Sequence, residues 1–112
     1  MPRKLKSQER ELVALLLCHC PEGTRFLFDL NERVVREMTD GGMGSLRFLS
    51  DREQRVRHRA LSKAEFCDSD GVVVSVELTT DQFDDLFELD LWKVDFSPLQ
   101  RFPLVSEVKF AG

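Results

Sequence analysis

Apolar and charged residues alternate through Leu86–Leu99, LFELDLWKVDFSPL, and the alternation changes phase halfway. Phe87, Leu89 and Leu91 share one parity, with Glu88 and Asp90 between them. The apolar set then moves to Trp92, Val94 and Phe96, with Lys93 and Asp95 between. Side chains on a strand repeat every two residues, so keeping all six apolar groups on one face requires an extra residue. A β-bulge at Leu91–Trp92 is therefore expected.

Upstream the pattern is first helical. Leu12, Leu15 and Leu16 form a stripe widened by Val13 and Leu17. Ser7 is the expected N-cap, Glu9 and Glu11 suit the positive end of the helix dipole, and Pro21 and Gly23 should stop the helix after Cys20. Residues 24–32 fit either a short helical turn or a packed loop. Strands are expected over Val34–Met38, Ser45–Leu49, Leu61–Cys67 and Val72–Thr79, with a last short one around Val105, Val108 and Phe110. Glycines in Asp40–Gly44 and in Asp68–Gly71 supply positive φ for hairpin connections. Residues 50–60 are polar and Arg-rich. One helix followed by hairpins predicts an α+β fold: an N-terminal helix packed on an antiparallel, hairpin-connected sheet, forming a single domain over residues 1–112.

The strands can be registered on paper. A three-residue loop at Ser69–Gly71 pairs Phe66 with Val74, Ala64 with Val76, Lys63 with Glu77 and Glu65 with Ser75. Setting Val74 against Leu91, Val76 against Leu89 and Leu78 against Phe87 then matches apolar with apolar and places Glu77 opposite Glu88. The expected core includes Phe48, Phe66, Val74, Val76, Leu89, Leu91 and Trp92. The other face carries Glu65, Glu77, Glu88, Asp90, Lys93 and Asp95 as a candidate interaction face. Like charges placed opposite each other need a neutralising partner, either Lys63 or an arginine from 52–59. Unneutralised, such a pair would share a proton or hold a hard cation.

Other constellations carry less. Asp68, Asp70, Gly71 and Glu77 match part of an EF-hand loop, but Phe66 stands where its first aspartate should be, and a hairpin turn explains the rest. Cys18-His19-Cys20 lacks zinc spacing, so buried thiols are the simpler expectation. Arg55, Arg57 and Arg59 could grip phosphates but have no stacking aromatics beside them; pairing with the acidic half accounts for them. Asp40–Ser45 lacks the phosphate-loop pattern and reads as a structural turn.

Charge sharpens this picture. The net charge is −4, but residues 1–63 carry +4 and residues 64–112 carry −8. The acidic half favours a basic partner or a cation over nucleic acid, unless the two halves merely neutralise each other. No apolar run approaches the ~20 residues of a membrane helix, and the N-terminal apolar stretch reads as part of the domain rather than a signal peptide. Three cysteines suit a reducing, cytoplasmic setting.

Asp40–Leu46 (DGGMGSL) and Leu86–Leu99, together with Glu65-Phe66 and Asp68–Val76, resemble a family of small, uncharacterised, mostly bacterial single-domain proteins, over most of residues 33–103. The resemblance implies a self-contained domain and assigns no catalytic residues and no cofactor. In fold and composition the chain is also similar to small acidic bacterial proteins that neutralise toxins, by analogy only. The leading expectation is a non-enzymatic module presenting its acidic sheet face to a basic protein. The alternatives are a small metal-binding or hydrolytic enzyme using Glu65, Glu77, Glu88 and Asp90, and a homodimer.

Overall fold

A computed structural model describes residues 1–110. The elements follow in the order β1 (Arg3–Lys4), α1 (Ser7–Cys18), β2 (Val34–Glu37), β3 (Leu46–Phe48), β4 (Arg57–Cys67), β5 (Val73–Asp81), β6 (Leu86–Lys93) and β7 (Lys109–Phe110). Short 3-10 turns occupy Pro21–Phe26, Leu30–Glu32 and Val105–Glu107. All strand pairs are antiparallel, in the order β1-β2-β3-β6-β5-β4-β7. This is the expected α+β arrangement, with one helix near the N-terminus packed on the sheet.

Helix α1 buries Leu12, Val13, Leu16 and Leu17 against Phe48, Phe66, Val74, Val76, Leu78, Leu89 and Leu91 of the sheet. Its cap is Lys6 rather than Ser7. Glu9 reaches back to accept the Lys6 N–H at 2.8 Å and also holds Arg3 at 2.7 and 2.9 Å. Gly23 lets the chain fold back against the end of the helix, because a Cβ there would lie 2.9 Å from the Leu17 carbonyl oxygen.

The β4–β5 hairpin has the expected register: Phe66 faces Val74, Ala64 faces Val76, Lys63 faces Glu77 and Glu65 faces Ser75. Gly71 takes the left-handed conformation, at φ 82°, that closes its three-residue loop. Strand β4 begins earlier than expected, at Arg57, and draws part of the Arg-rich stretch into the sheet.

The β5–β6 pair differs from expectation by two residues. Val76 faces Leu91, Leu78 faces Leu89, and Glu77 faces Asp90 rather than Glu88. A two-residue shift preserves parity, so the apolar and charged faces survive it. Its cause is the turn: Asp81 N–H donates to the Asp85 carbonyl at 2.9 Å, and Asp84 adopts φ 64° in place of a glycine.

The bulge also lies elsewhere. Thr80 faces Leu86 and Leu78 faces Leu89, so the extra residue sits between Leu86 and Leu89. Within it, the Thr79 hydroxyl accepts the Glu88 N–H at 3.2 Å and donates to the Glu88 carbonyl at 3.3 Å. The strand then runs regularly through Leu91–Trp92. Consequently Trp92, Val94 and Phe96 do not join the core. They are 49%, 47% and 70% exposed, whereas Lys93, facing Val74 on the core side, is fully buried.

Candidate functional site

The outer face of β3, β4, β5 and β6 holds most of the expected charged set, with its members in distinct settings. Glu65 is exposed. Glu77 is bound by Arg57 and lies 3.6 Å from Lys63, the neutralisation expected from sequence. Glu88 is buried and gripped by Arg47, whose guanidinium also covers the Phe87 ring at 4.6 Å. Asp95 has left the sheet. It lies in the turn after β6 and accepts hydrogen bonds from the Ser97 N–H and hydroxyl.

Lys93 is not part of this face. Its ammonium donates to Asp68 at 2.9 Å, to Asp70 at 2.6 Å and to the Pro98 carbonyl at 3.3 Å. Burial opposes its charge, but the bonds to Asp70 and Asp68 raise its pKa overall. Burial likewise works against ionised Asp68. The Gln100 N–H, Lys93 and the Ser69 N–H nevertheless hold its carboxyl down to about 2. The aspartates that looked like part of a calcium loop are thus lysine ligands, joining the β4–β5 turn to the end of β6.

Asp90 has the opposite character. It is half-buried, and among the described residues it has neither an ion-pair partner nor a side-chain hydrogen bond. Burial pushes its carboxyl up to about 6, helped by the negative charges of Glu88 and Glu77 and opposed by Arg57 and Arg47. Such a group exchanges a proton near neutrality and attracts a cation when ionised.

A pocket of about 460 Å³ opens beside it, lined by Asp40, Met43, Ser75, Glu77, Asp90 and Trp92 among others. It exists because β3 stops pairing at Leu46–Leu89 while β6 continues to Lys93. Past that point the Asp40–Ser45 loop turns away. Asp40 accepts the N–H groups of Met43 and Ser45, both at 3.0 Å, and Gly42 and Gly44 take positive φ. The Ser45 hydroxyl and the Met43 sulfur accept the N–H groups of Leu91 and Lys93 that β3 leaves free. The loop also packs on the tail: Leu99 N–H donates to the Gly42 carbonyl at 3.1 Å. The DGGMGS and LFELDLWKVDFSPL stretches therefore meet at this one pocket.

Beside the pocket, Trp92 leans on Phe96, with ring centroids 5.8 Å apart. Phe96 is held at φ 64°, a strained conformation for a bulky residue.

The remaining candidates are structural. Arg55 inserts its guanidinium between strands, donating to Asp81 and to the carbonyls of Phe48 and Leu86, each at 2.6 Å. Arg55 thus pairs with the acidic half, as expected, but it does so buried, through Asp81 at the end of β5, an acid directly following the apolar run of that strand. Cys20 is buried as expected, but Cys18 and Cys67 are exposed, and His19 stacks on Phe110 at 3.6 Å. Among the described residues, no group of three or more His, Cys, Asp or Glu is placed to hold a metal ion. No helix there is long and apolar enough to cross a membrane.

A family model described as a domain of unknown function, DUF6984, matches residues 2–103. The chain belongs to that family. The DUF6984 match takes in α1, β1–β6, the pocket loop and the tail as far as Pro103, so both walls of the pocket lie within it. No curated protein and no solved structure matches the chain.

Proposed function

We propose that the chain is a non-enzymatic binding module that presents the outer face of β4, β5 and β6 to a basic protein. The observation that carries this reading is the placing of Trp92. It is half exposed on a face whose open charges include Glu65 and Asp90, with exposed Phe96 strained against it. Exposed aromatics serve as interface anchors, and unpaired carboxylates beside them favour a partner of complementary, positive charge. Folding gains little from leaving two large rings in water, and the strain at Phe96 costs about 1–3 kcal/mol. Neutralisation of a basic toxin, an immunity-like role, is one form of this reading. The three free cysteines suit its taking place in a reducing cytoplasm.

The experiment is capture of partners from the native organism on immobilised protein, with Trp92→Ala and Glu65→Lys as controls and identification by mass spectrometry. A basic protein retained by the wild type, released by raised salt and lost by both variants supports the reading. Retention that ignores salt and both substitutions would overturn it. So would a concentration-dependent dimer in light scattering that Trp92→Ala abolishes, because the patch would then be covered by a second copy.

A further inference from the structure

We infer that the pocket between Asp90 and Trp92 is a reading site for one arginine side chain of the partner. This rests on the binding-module reading and names the group that the face selects. Three carboxylates line the pocket, but two are committed: Asp40 to the N–H groups of Met43 and Ser45, and Glu77 to Arg57 and Lys63. The open valence of the site is therefore Asp90 alone, with Glu77 facing it across the strands, Glu88 adding negative charge, and Arg57 and Arg47 offsetting part of it.

A guanidinium matches this arrangement in two ways. Its planar fork pairs with both oxygens of a carboxylate, and its face stacks on an indole. An ammonium is a compact, strongly hydrated point charge and uses only the first contact. The Met43 thioether supplies an apolar wall for the methylenes of the incoming side chain. At about 460 Å³ the pocket admits a side chain of that size.

The site contains its own reporter. Trp92 is the only tryptophan in the chain, and there is no tyrosine. The test is a titration of Trp92 fluorescence at pH 8 with N-acetyl-arginine amide, N-acetyl-lysine amide and the uncharged isostere N-acetyl-citrulline amide. A saturable change is expected with the arginine amide, weaker by about tenfold or more with the lysine amide and absent with the citrulline amide. The change should be lost in Asp90→Asn and kept in Glu11→Gln, an exposed carboxylate on α1 away from this face, each checked for folding by circular dichroism. No saturable change with the arginine amide, an equal response to the citrulline amide, or wild-type binding by Asp90→Asn would each overturn the assignment. Because partner capture is read separately, salt-sensitive, Trp92-dependent capture together with any of these results removes the arginine site and leaves the parent reading standing.

Discussion

The hydroxyl of Ser45 stands in for a missing backbone strand at Leu91, accepting its N–H at 2.9 Å and donating to its carbonyl at 3.2 Å. Both groups lie where β6 has outrun β3, and Ser45 is itself buried. Ser45→Ala leaves a buried donor and a buried acceptor without a protein partner. An unmade buried bond costs about 1–3 kcal/mol, so a loss of roughly 2 kcal/mol in urea unfolding is expected. A variant as stable as the wild type would show that water replaces the hydroxyl.

Leu91 and Trp92 are neighbours on opposite faces, and their substitution separates the observed phase of β6 from the phase expected of an all-apolar face. Leu91 is 2% exposed and Trp92 is 49% exposed. Leu91→Ala should cost about 2–5 kcal/mol of stability. Trp92→Ala should stay within about 1 kcal/mol while removing the proposed binding. Comparable losses from the two in denaturant melts would return Trp92 to the core.

What was legible in the sequence follows from how local its causes are. The β4–β5 register could be read because Gly71 announces its own turn and the apolar pattern agrees with it. The β5–β6 register could not, because Asp84 adopts the left-handed conformation without a glycine to mark it. Only the parity up to Leu91 survived, which is why Glu77, Asp90, Leu89 and Leu91 were assigned to the correct sides and Trp92 was not. Lys93 was misplaced because its counter-ions, Asp68 and Asp70, belong to another hairpin. The strand pattern treats any lysine as solvent-facing, and nothing local to Lys93 signals that a turn more than twenty residues upstream will neutralise it. Of the candidate carboxylates, Glu65, Glu77, Glu88 and Asp90 lie on the sheet, whereas Asp95 sits in the turn after β6. The pocket was not legible, because it depends on β3 ending before β6 does.

Lys93 and Asp68 form a pair that should fail asymmetrically. Lys93→Met strands the buried Asp68 carboxylate without its cation, and a large fall in melting temperature is expected at pH 7. Asp68→Asn in the same chain should recover part of that loss, since the uncompensated charge is then gone. In the wild type, the carboxyl of Asp68 is held below its ordinary value, at about 2. Its contribution is therefore present above the unfolded value near 4 and is lost as pH falls toward 2. A double variant that melts no higher than Lys93→Met would overturn the account.

Asp90 should give stability the opposite pH dependence. Its folded carboxyl is raised to about 6, above the unfolded value of 3.8. Folding then takes up a proton between these values. The associated stability is fully present below about 4 and is lost as pH rises through about 6. Asp90→Asn removes the titration. It should flatten this part of the pH–stability curve and make the protein more stable than the wild type at pH 8, by no more than about 1 kcal/mol once the water around a half-exposed group is allowed for. The same titration bears on binding: an arginine ligand needs ionised Asp90, so its affinity should fall as pH drops below about 6. Glu88 and Glu77 favour the raised value of Asp90, and Arg57 and Arg47 oppose it. Melting curves from pH 4 to 8 on the wild type and Asp90→Asn check the first expectation. Parallel curves for the two proteins would show that Asp90 is already neutralised by a group in the fold.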